Sequence, residues 1–223
     1  MFDRIAPRYD AMNTLMTLGL DAAWRRRAVR AARLTSGMRA VDVACGSGSL
    51  TRQLAAAVGR AGAVIGVDVS PGMLDVARRR AVRGDAAAPV YLEGDALALS
   101  VPEATADAVT IAFGLRNVED YGRCVAEMTR VARPGGRVVV LEIATPAGRL
   151  GRVLAATWFE RVVPLLGRLA GNADAYRYLP DSVQSYPSPD AVAQLMRTAG
   201  LADVRWRRLP PGLVTLHVGR RAA

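Results

Sequence analysis

The chain has 223 residues, enough for one sizeable α/β domain and too few for two ordinary ones. Half of its residues are apolar and charge is mixed throughout, which excludes disorder, and two cysteines, Cys45 and Cys124, exclude both a disulfide framework and a cysteine metal cluster. The formal charge is +10 with arginine as the basic residue throughout; this permits attraction to nucleic acid or to an anionic membrane face, and is equally met by a solvated surface of biased composition.

In chain order, residues 1–36 read as a helical lid containing the basic cluster Trp24-Arg25-Arg26-Arg27-Ala28-Val29-Arg30, ended by Ser36-Gly37-Met38. Strand Ala40 to Val43, helix Leu50 to Val58 and strand Ala63 to Val67 follow. Ser70-Pro71 supplies a cap and a first-turn proline for helix Gly72 to Arg80. Strand Pro89 to Leu92 ends at Glu93-Gly94-Asp95, and Ala108 to Phe113 is apolar without a break, as a buried parallel strand should be. Helix Asp120 to Ala132 is closed by Arg133-Pro134-Gly135-Gly136 before strand Arg137 to Ile143. Residues 146–189 form an insert, loosely helical and then tyrosine-rich. Helix Asp190 to Ala199, strand Val204 to Leu209, turn Pro210-Pro211-Gly212 and strand Leu213 to Val218 complete the chain. The pattern predicts a Rossmann-like, doubly wound α/β sheet, mostly parallel with an antiparallel C-terminal edge hairpin. Residues 37–145 are its cofactor-binding core and 190–223 its last helix and hairpin.

No run approaches the ~18 uninterrupted apolar residues of a membrane span; Val153 to Leu169 is broken by Glu160, Arg161 and Pro164. Met1-Phe2-Asp3-Arg4 lacks the layout of a signal peptide, so a cytoplasmic protein is expected.

The most informative stretch is Asp42-Val43-Ala44-Cys45-Gly46-Ser47-Gly48-Ser49, a strand entering a tight glycine turn, with Asp68 closing the next strand. Glycine lets backbone approach a ligand closely, and a carboxylate about twenty residues on suits a ribose diol. Thr51 stands where a dinucleotide fingerprint requires its third glycine. Asp42 would repel a pyrophosphate and attract a sulfonium or an α-amino group, so the pattern favours S-adenosylmethionine over NAD. Cys45 reads as a small packing residue, and His217, the single histidine, as a strand residue without catalytic duty.

Agreement extends beyond this turn. Met1-Phe2-Asp3-Arg4-Ile5-Ala6-Pro7-Arg8-Tyr9-Asp10-Ala11-Met12-Asn13 with Trp24-Arg25, Phe113-Gly114-Leu115-Arg116-Asn117-Val118, Arg133-Pro134-Gly135-Gly136 through Glu142, and Tyr178-Leu179-Pro180-Asp181-Ser182 resemble the ubiquinone/menaquinone biosynthesis C-methyltransferases, a class I S-adenosylmethionine-dependent family. The resemblance implies cofactor contacts at Asp42, Gly46, Ser47, Gly48, Asp68, Asp95 and Ala96. It implies catalytic roles for Arg116, Asn117, Asp10 and Tyr9, with Arg116 stabilising a phenolate and Asp10 serving as general base or as a structural cap. Asn13 and Tyr178 become substrate contacts. The implied reaction methylates a prenylated quinol, demethylmenaquinol to menaquinol, at the inner face of a membrane, by a chain that can form a homodimer. The chain departs from the family at Ser49, Asp21 and Ala144, where Asp, His and Ser are usual, which leaves open another small aromatic or natural-product substrate. A nucleic-acid methyltransferase is disfavoured because the fourth strand leads into Phe113-Gly114-Leu115-Arg116-Asn117 rather than an Asn/Asp-Pro-Pro-aromatic loop that would hold a flipped base.

Overall fold

The computed structural model describes residues 10, 12–82, 84–144, 148, 183 and 185–222. Each apolar run of the sequence becomes a strand: β1 (Arg39–Val43), β2 (Ala63–Asp68), β3 (Val90–Glu93), β4 (Ala106–Ala112), β5 (Ala132–Ile143), β6 (Leu201–Leu209) and β7 (Val214–Arg221). They form one sheet in the order β3-β2-β1-β4-β5-β7-β6. The first five strands pair in parallel; β7 pairs antiparallel with β5 and with β6, so the hairpin closes one edge.

Helices α1 (Leu20–Ala32) and α2 (Ser49–Val58) pack on one face through Trp24, Ala28, Ala32, Leu50, Leu54 and Val58. Helices α4 (Tyr121–Val131) and α5 (Pro189–Thr198) pack on the other through Val125, Met128, Val192 and Met196, and α3 (Pro71–Arg79) leans on β2 and β3. Between the layers, Ala108, Val109, Ile111 and Val138 through Leu141 are almost wholly removed from water. Each fully buried Val, Ile or Leu there contributes about 1.5–3 kcal/mol. The α3 start is built as its sequence predicts, with Ser70 Oγ accepting from the Met73 amide, and α5 starts the same way, with Ser188 Oγ accepting from the Ala191 amide, both at 3.2 Å with proline in the first turn.

The hairpin strands run three residues beyond expectation, β6 beginning at Leu201 and β7 ending at Arg221, and one boundary differs in kind. Arg133 to Gly136 do not separate α4 from β5 but lie within the strand, as a bulge in which Ala132 to Arg137 oppose only Ala106 to Ala108 of β4. Pro134 has no amide to give a ladder, and Gly135 turns the backbone at φ 76°, so the chain leaves the sheet briefly and rejoins it. Most of the insert at 146–189, including the apolar stretch from Val153 to Leu169, lies outside the described residues, as do Tyr9 and Tyr178.

Candidate active site

At the carboxyl ends of β1, β2 and β4, where strand order reverses, lies a cavity of about 350 Å³. Open parallel sheets bind their ligands at such a switch point. Among the described residues, five carboxylates, Asp10, Asp42, Asp68, Asp95 and Glu119, line it beside one arginine, Arg25. The chain as a whole has 20 acidic residues against 30 basic ones, so this cavity inverts the charge balance of the protein.

Asp68, the last residue of β2, is held by backbone: the Gly46 amide donates to Oδ2 at 2.7 Å and the Ser70 amide to Oδ1 at 2.9 Å. Both oxygens are thereby held in a fixed direction at the cavity wall, and carboxylate oxygens are the acceptors a vicinal diol requires. Asp42 lies deeper, 1 % exposed, with hydroxyls as its donors: Thr51 Oγ1 at 2.6 Å and Thr110 Oγ1 at 2.8 Å. Burial outweighs these two hydrogen bonds and raises its pKa to about 6. The residue read as a missing glycine, Thr51, is therefore the clamp on this carboxylate. Asp95 accepts from the Leu97 amide at 2.8 Å, and Ala96 beside it completes that wall.

The glycine turn needs its glycines for conformation and for packing. Gly46 and Gly48 both adopt left-handed φ, 54° and 74°, and a Cβ at Gly48 would fall 2.5 Å from the Tyr91 hydroxyl oxygen. Ala44 and Phe113, which follow β1 and β4, also have positive φ, 50° and 61°. That conformation is costly for a residue with a side chain and recurs at sites where backbone is held for function. Cys45 lines the cavity, but burial and the neighbouring Asp42 and Asp68 push its thiol far above the usual range, so no thiolate nucleophile forms. His217 is fully buried at Pro189, its pKa lowered to about 4 by desolvation, and takes no place in the cavity wall.

Other expected residues are arranged differently. Asp10 reaches the glycine turn, accepting from Ser47 Oγ at 2.6 Å and Ser49 Oγ at 3.0 Å, and pairs with Arg80. These three contacts make Asp10 a clasp between the residues before α1 and the glycine turn. Asn117 stands on the cavity wall; Arg116 does not. Its Nη1 donates to Glu142 Oε1 at 2.6 Å and to the Phe113 carbonyl at 2.7 Å, with the two side chains 4 % and 0 % exposed. Glu142 also accepts from the Arg116 amide at 3.2 Å. Asn13 is half-buried, its carbonyl accepting from Thr17, and is not among the lining residues.

Several groups escaped the sequence reading. Val69, Met73 and Leu97 give the cavity apolar walls suited to a flat base; the available signal was an apolar residue, Val69, directly after Asp68. Arg25 pairs with Asp21 and lies over the Phe113 ring at 5.3 Å from its centre. The described residues contain no cluster of metal-ligating side chains.

The donor set suits S-adenosylmethionine: acceptors for a ribose diol at Asp68, an amide–carboxylate edge at Asp95 and Ala96, and a buried anion at Asp42 for an ammonium, with no cationic cradle for a pyrophosphate among the described residues. Sheet order, cavity position and acidic lining together define a class I S-adenosylmethionine-dependent methyltransferase.

Residues 1–221 match the ubiE/COQ5 methyltransferase family. The chain is 46% identical over 223 residues to a demethylmenaquinone methyltransferase of Thermus thermophilus, covering 99% of this chain and 100% of that one. It is 40% identical to a ubiquinone/menaquinone biosynthesis C-methyltransferase of Geobacter sulfurreducens, covering 99% and 87%. A solved S-adenosylmethionine-dependent methyltransferase of Aquifex aeolicus shares the fold, with TM-score 0.62, 18% identity and 88% of each chain covered. The chain belongs to the ubiE/COQ5 methyltransferase family.

Proposed function

We propose that this protein methylates a ring carbon of a prenylated quinol, converting demethylmenaquinol to menaquinol with S-adenosylmethionine as donor. The observation that supports this reading best is the full-length 46% identity to a demethylmenaquinone methyltransferase, joined to a cavity whose charge suits a cationic donor. When bound, S-adenosylmethionine supplies a methyl group on a sulfonium, already a good leaving group. The work left to the protein is orientation, worth ~7–11 kcal/mol when reacting atoms are held in line, and activation of the ring. Taking the tyrosine pKa of ~10 as a guide, ionising a ring hydroxyl at pH 7 costs about 4 kcal/mol.

Asp68 and the turn at Gly46 fix the nucleoside, and Asp42 takes the ammonium. Asn117 contacts a ring oxygen. Arg116, joined to Glu142 and the Phe113 carbonyl, holds the loop that presents Asn117 and Phe113, and so is a positioning residue. Asp10 seats the N-terminal segment on the glycine turn, which makes that segment a lid over the cavity.

An isoprenoid tail keeps such a substrate in the bilayer, at ~0.8 kcal/mol per buried CH₂. No helix among the described residues is long and apolar enough to cross a membrane. Leu15, Leu18 and Leu20 are 48 %, 73 % and 38 % exposed at the start of α1, followed by Arg26 and Arg27. This apolar patch beside cations supports peripheral docking on the inner membrane face. Mass spectrometry of the quinone pool in a strain lacking the gene tests the reaction: a precursor lighter by one methyl group accumulates if it is right. An unchanged quinone pool contradicts it and favours another aromatic acceptor.

A further inference from the structure

The arginines of this chain are not evenly spread. On the α1 side of the sheet, β5 and β7 carry the apolar rows Val139–Leu141 and Leu216–Val218. At the amino end of β5 these rows run into arginine. Arg137 lies directly opposite Arg220 across the β5–β7 pair, Arg205 of β6 opposite Val218, and Arg207 opposite Leu216. Arg30 and Arg33, at the end of α1, form the facing wall.

Two adjoining cavities of about 540 and 380 Å³ result, sharing Arg33, Arg137, Arg205 and Val218. Among the described residues a single carboxylate lines them, Asp203, which pairs with Arg220 at 3.1 Å. Like charges opposite one another weaken a sheet. Burial and the fields of Arg33, Arg205 and Arg220 push the Arg137 guanidinium pKa down, yet arginine does not shed its proton in proteins. An arriving anion relieves that repulsion and finds forked donors matched to phosphate.

We propose that this groove is a second ligand site, for a compact soluble anion carrying two or more phosphate groups. Neighbouring strands lie about 4.8 Å apart, so arginines drawn from three strands span about 10 Å, wider than one phosphate. Position separates the groove from the membrane. It lies at the end of α1 opposite the exposed Leu18 and Leu20, and 13 helical residues measure about 20 Å. It also lies at the amino end of β5, away from the cofactor cavity at the carboxyl ends. A flat bilayer met by those leucines does not reach it.

Calorimetric titration at constant ionic strength tests the site with inorganic pyrophosphate and with orthophosphate, on the wild type, R205Q and R137Q/R205Q. Sedimentation with phosphatidylcholine vesicles, with and without phosphatidylglycerol, separates headgroup from soluble anion. Saturable one-to-one pyrophosphate binding is expected, with orthophosphate at least about tenfold weaker. R205Q, exposed on the edge strand, weakens it about threefold and the double variant at least about tenfold. S-adenosylhomocysteine binding stays unchanged in both variants, and without anion their thermal midpoints match or exceed the wild type. The proposal is overturned by absence of saturable pyrophosphate binding, by equal affinity in R205Q, by orthophosphate binding as tightly, or by binding confined to phosphatidylglycerol vesicles. None of these results touches methyl transfer.

Discussion

The two ends of the sheet carry opposite charge and hold it by different means. At the carboxyl ends, five carboxylates among the described residues share one cavity, and those nearest the strands accept from neutral donors: amides at Asp68 and Asp95, threonine hydroxyls at Asp42. At the amino end of β5, arginines crowd a groove whose lining, among the described residues, offers only Asp203 in return. Neutral donors fix a charge in place without cancelling it, so the acidic end is preorganised for a cation. The basic end is exposed to water and strained by its own field until a counter-charge arrives. A third arrangement, the Arg116–Glu142 pair, lies beside the acidic cavity at the carboxyl ends of β4 and β5, where opposite charges cancel in the protein interior.

Breaking that internal pair gives the largest effect. E142Q removes the buried carboxylate that pairs with the Arg116 guanidinium and lowers stability by about 3–5 kcal/mol, read as a fall in the urea midpoint. The apolar double variant R116M/E142L recovers most of that stability while methyl transfer stays impaired, because the loop bearing Asn117 loses its anchor. Equal stability of E142Q and wild type would remove the pair from the account.

Next comes the acidic end itself. D68A loses the acceptors for both ribose hydroxyls and also those for the Gly46 and Ser70 amides. S-adenosylhomocysteine binding weakens about 100-fold, or about 3 kcal/mol, by calorimetry. D68A binding within a factor of about three of wild type would show that Asp68 does not read the ribose.

The Asp42 carboxylate makes the comparison pH-dependent. Its pKa in the folded protein, about 6, lies above its ordinary 3.8. Folding therefore favours the protonated form. The resulting stability, about 3 kcal/mol, is fully present below pH 3.8 and is lost as pH rises through 6. Cofactor binding has the opposite slope: an ammonium needs the ionised carboxylate, so affinity falls towards about tenfold per pH unit below 6. D42N flattens both profiles, and a wild-type affinity independent of pH between 4.5 and 7 would contradict the assignment to Asp42.

The smallest effect is at the clasp. Arg80 and Asp10 are partly exposed, so R80A changes stability by less than about 1 kcal/mol. It raises the KM for S-adenosylmethionine a few-fold through a looser lid, with kcat little changed in steady-state assays.

How much of this could be read from the sequence depended on whether the participants are neighbours in the chain. Asp42, the glycine turn and Asp68 sit at the ends of two adjacent strand runs, and their spacing carries their chemistry. Thr51 was noticed only as an absent glycine, because its hydroxyl finds Asp42 through the turn of α2. The Arg116–Glu142 contact depends on β4 pairing with β5, and no local pattern announces it, so Arg116 was read as facing substrate. The basic groove is further still from local pattern: Arg137, Arg205 and Arg220 meet only because β7 inserts between β5 and β6. In the sequence they were indistinguishable from a general arginine bias. The bulge at Pro134 was misread for a related reason, since Pro-Gly-Gly marks a chain reversal equally well inside a strand or before one.

The central claim is that the acidic cavity presents a methyl donor to a quinol ring. Its most direct test incubates the purified protein with S-adenosylmethionine labelled in the methyl group and reduced demethylmenaquinone in lipid vesicles, with product read by mass spectrometry. Label should appear on the quinone ring with wild-type protein and fall to background with D68A at the same cofactor concentration. An unlabelled ring, from wild-type protein that binds S-adenosylhomocysteine normally, would contradict the account.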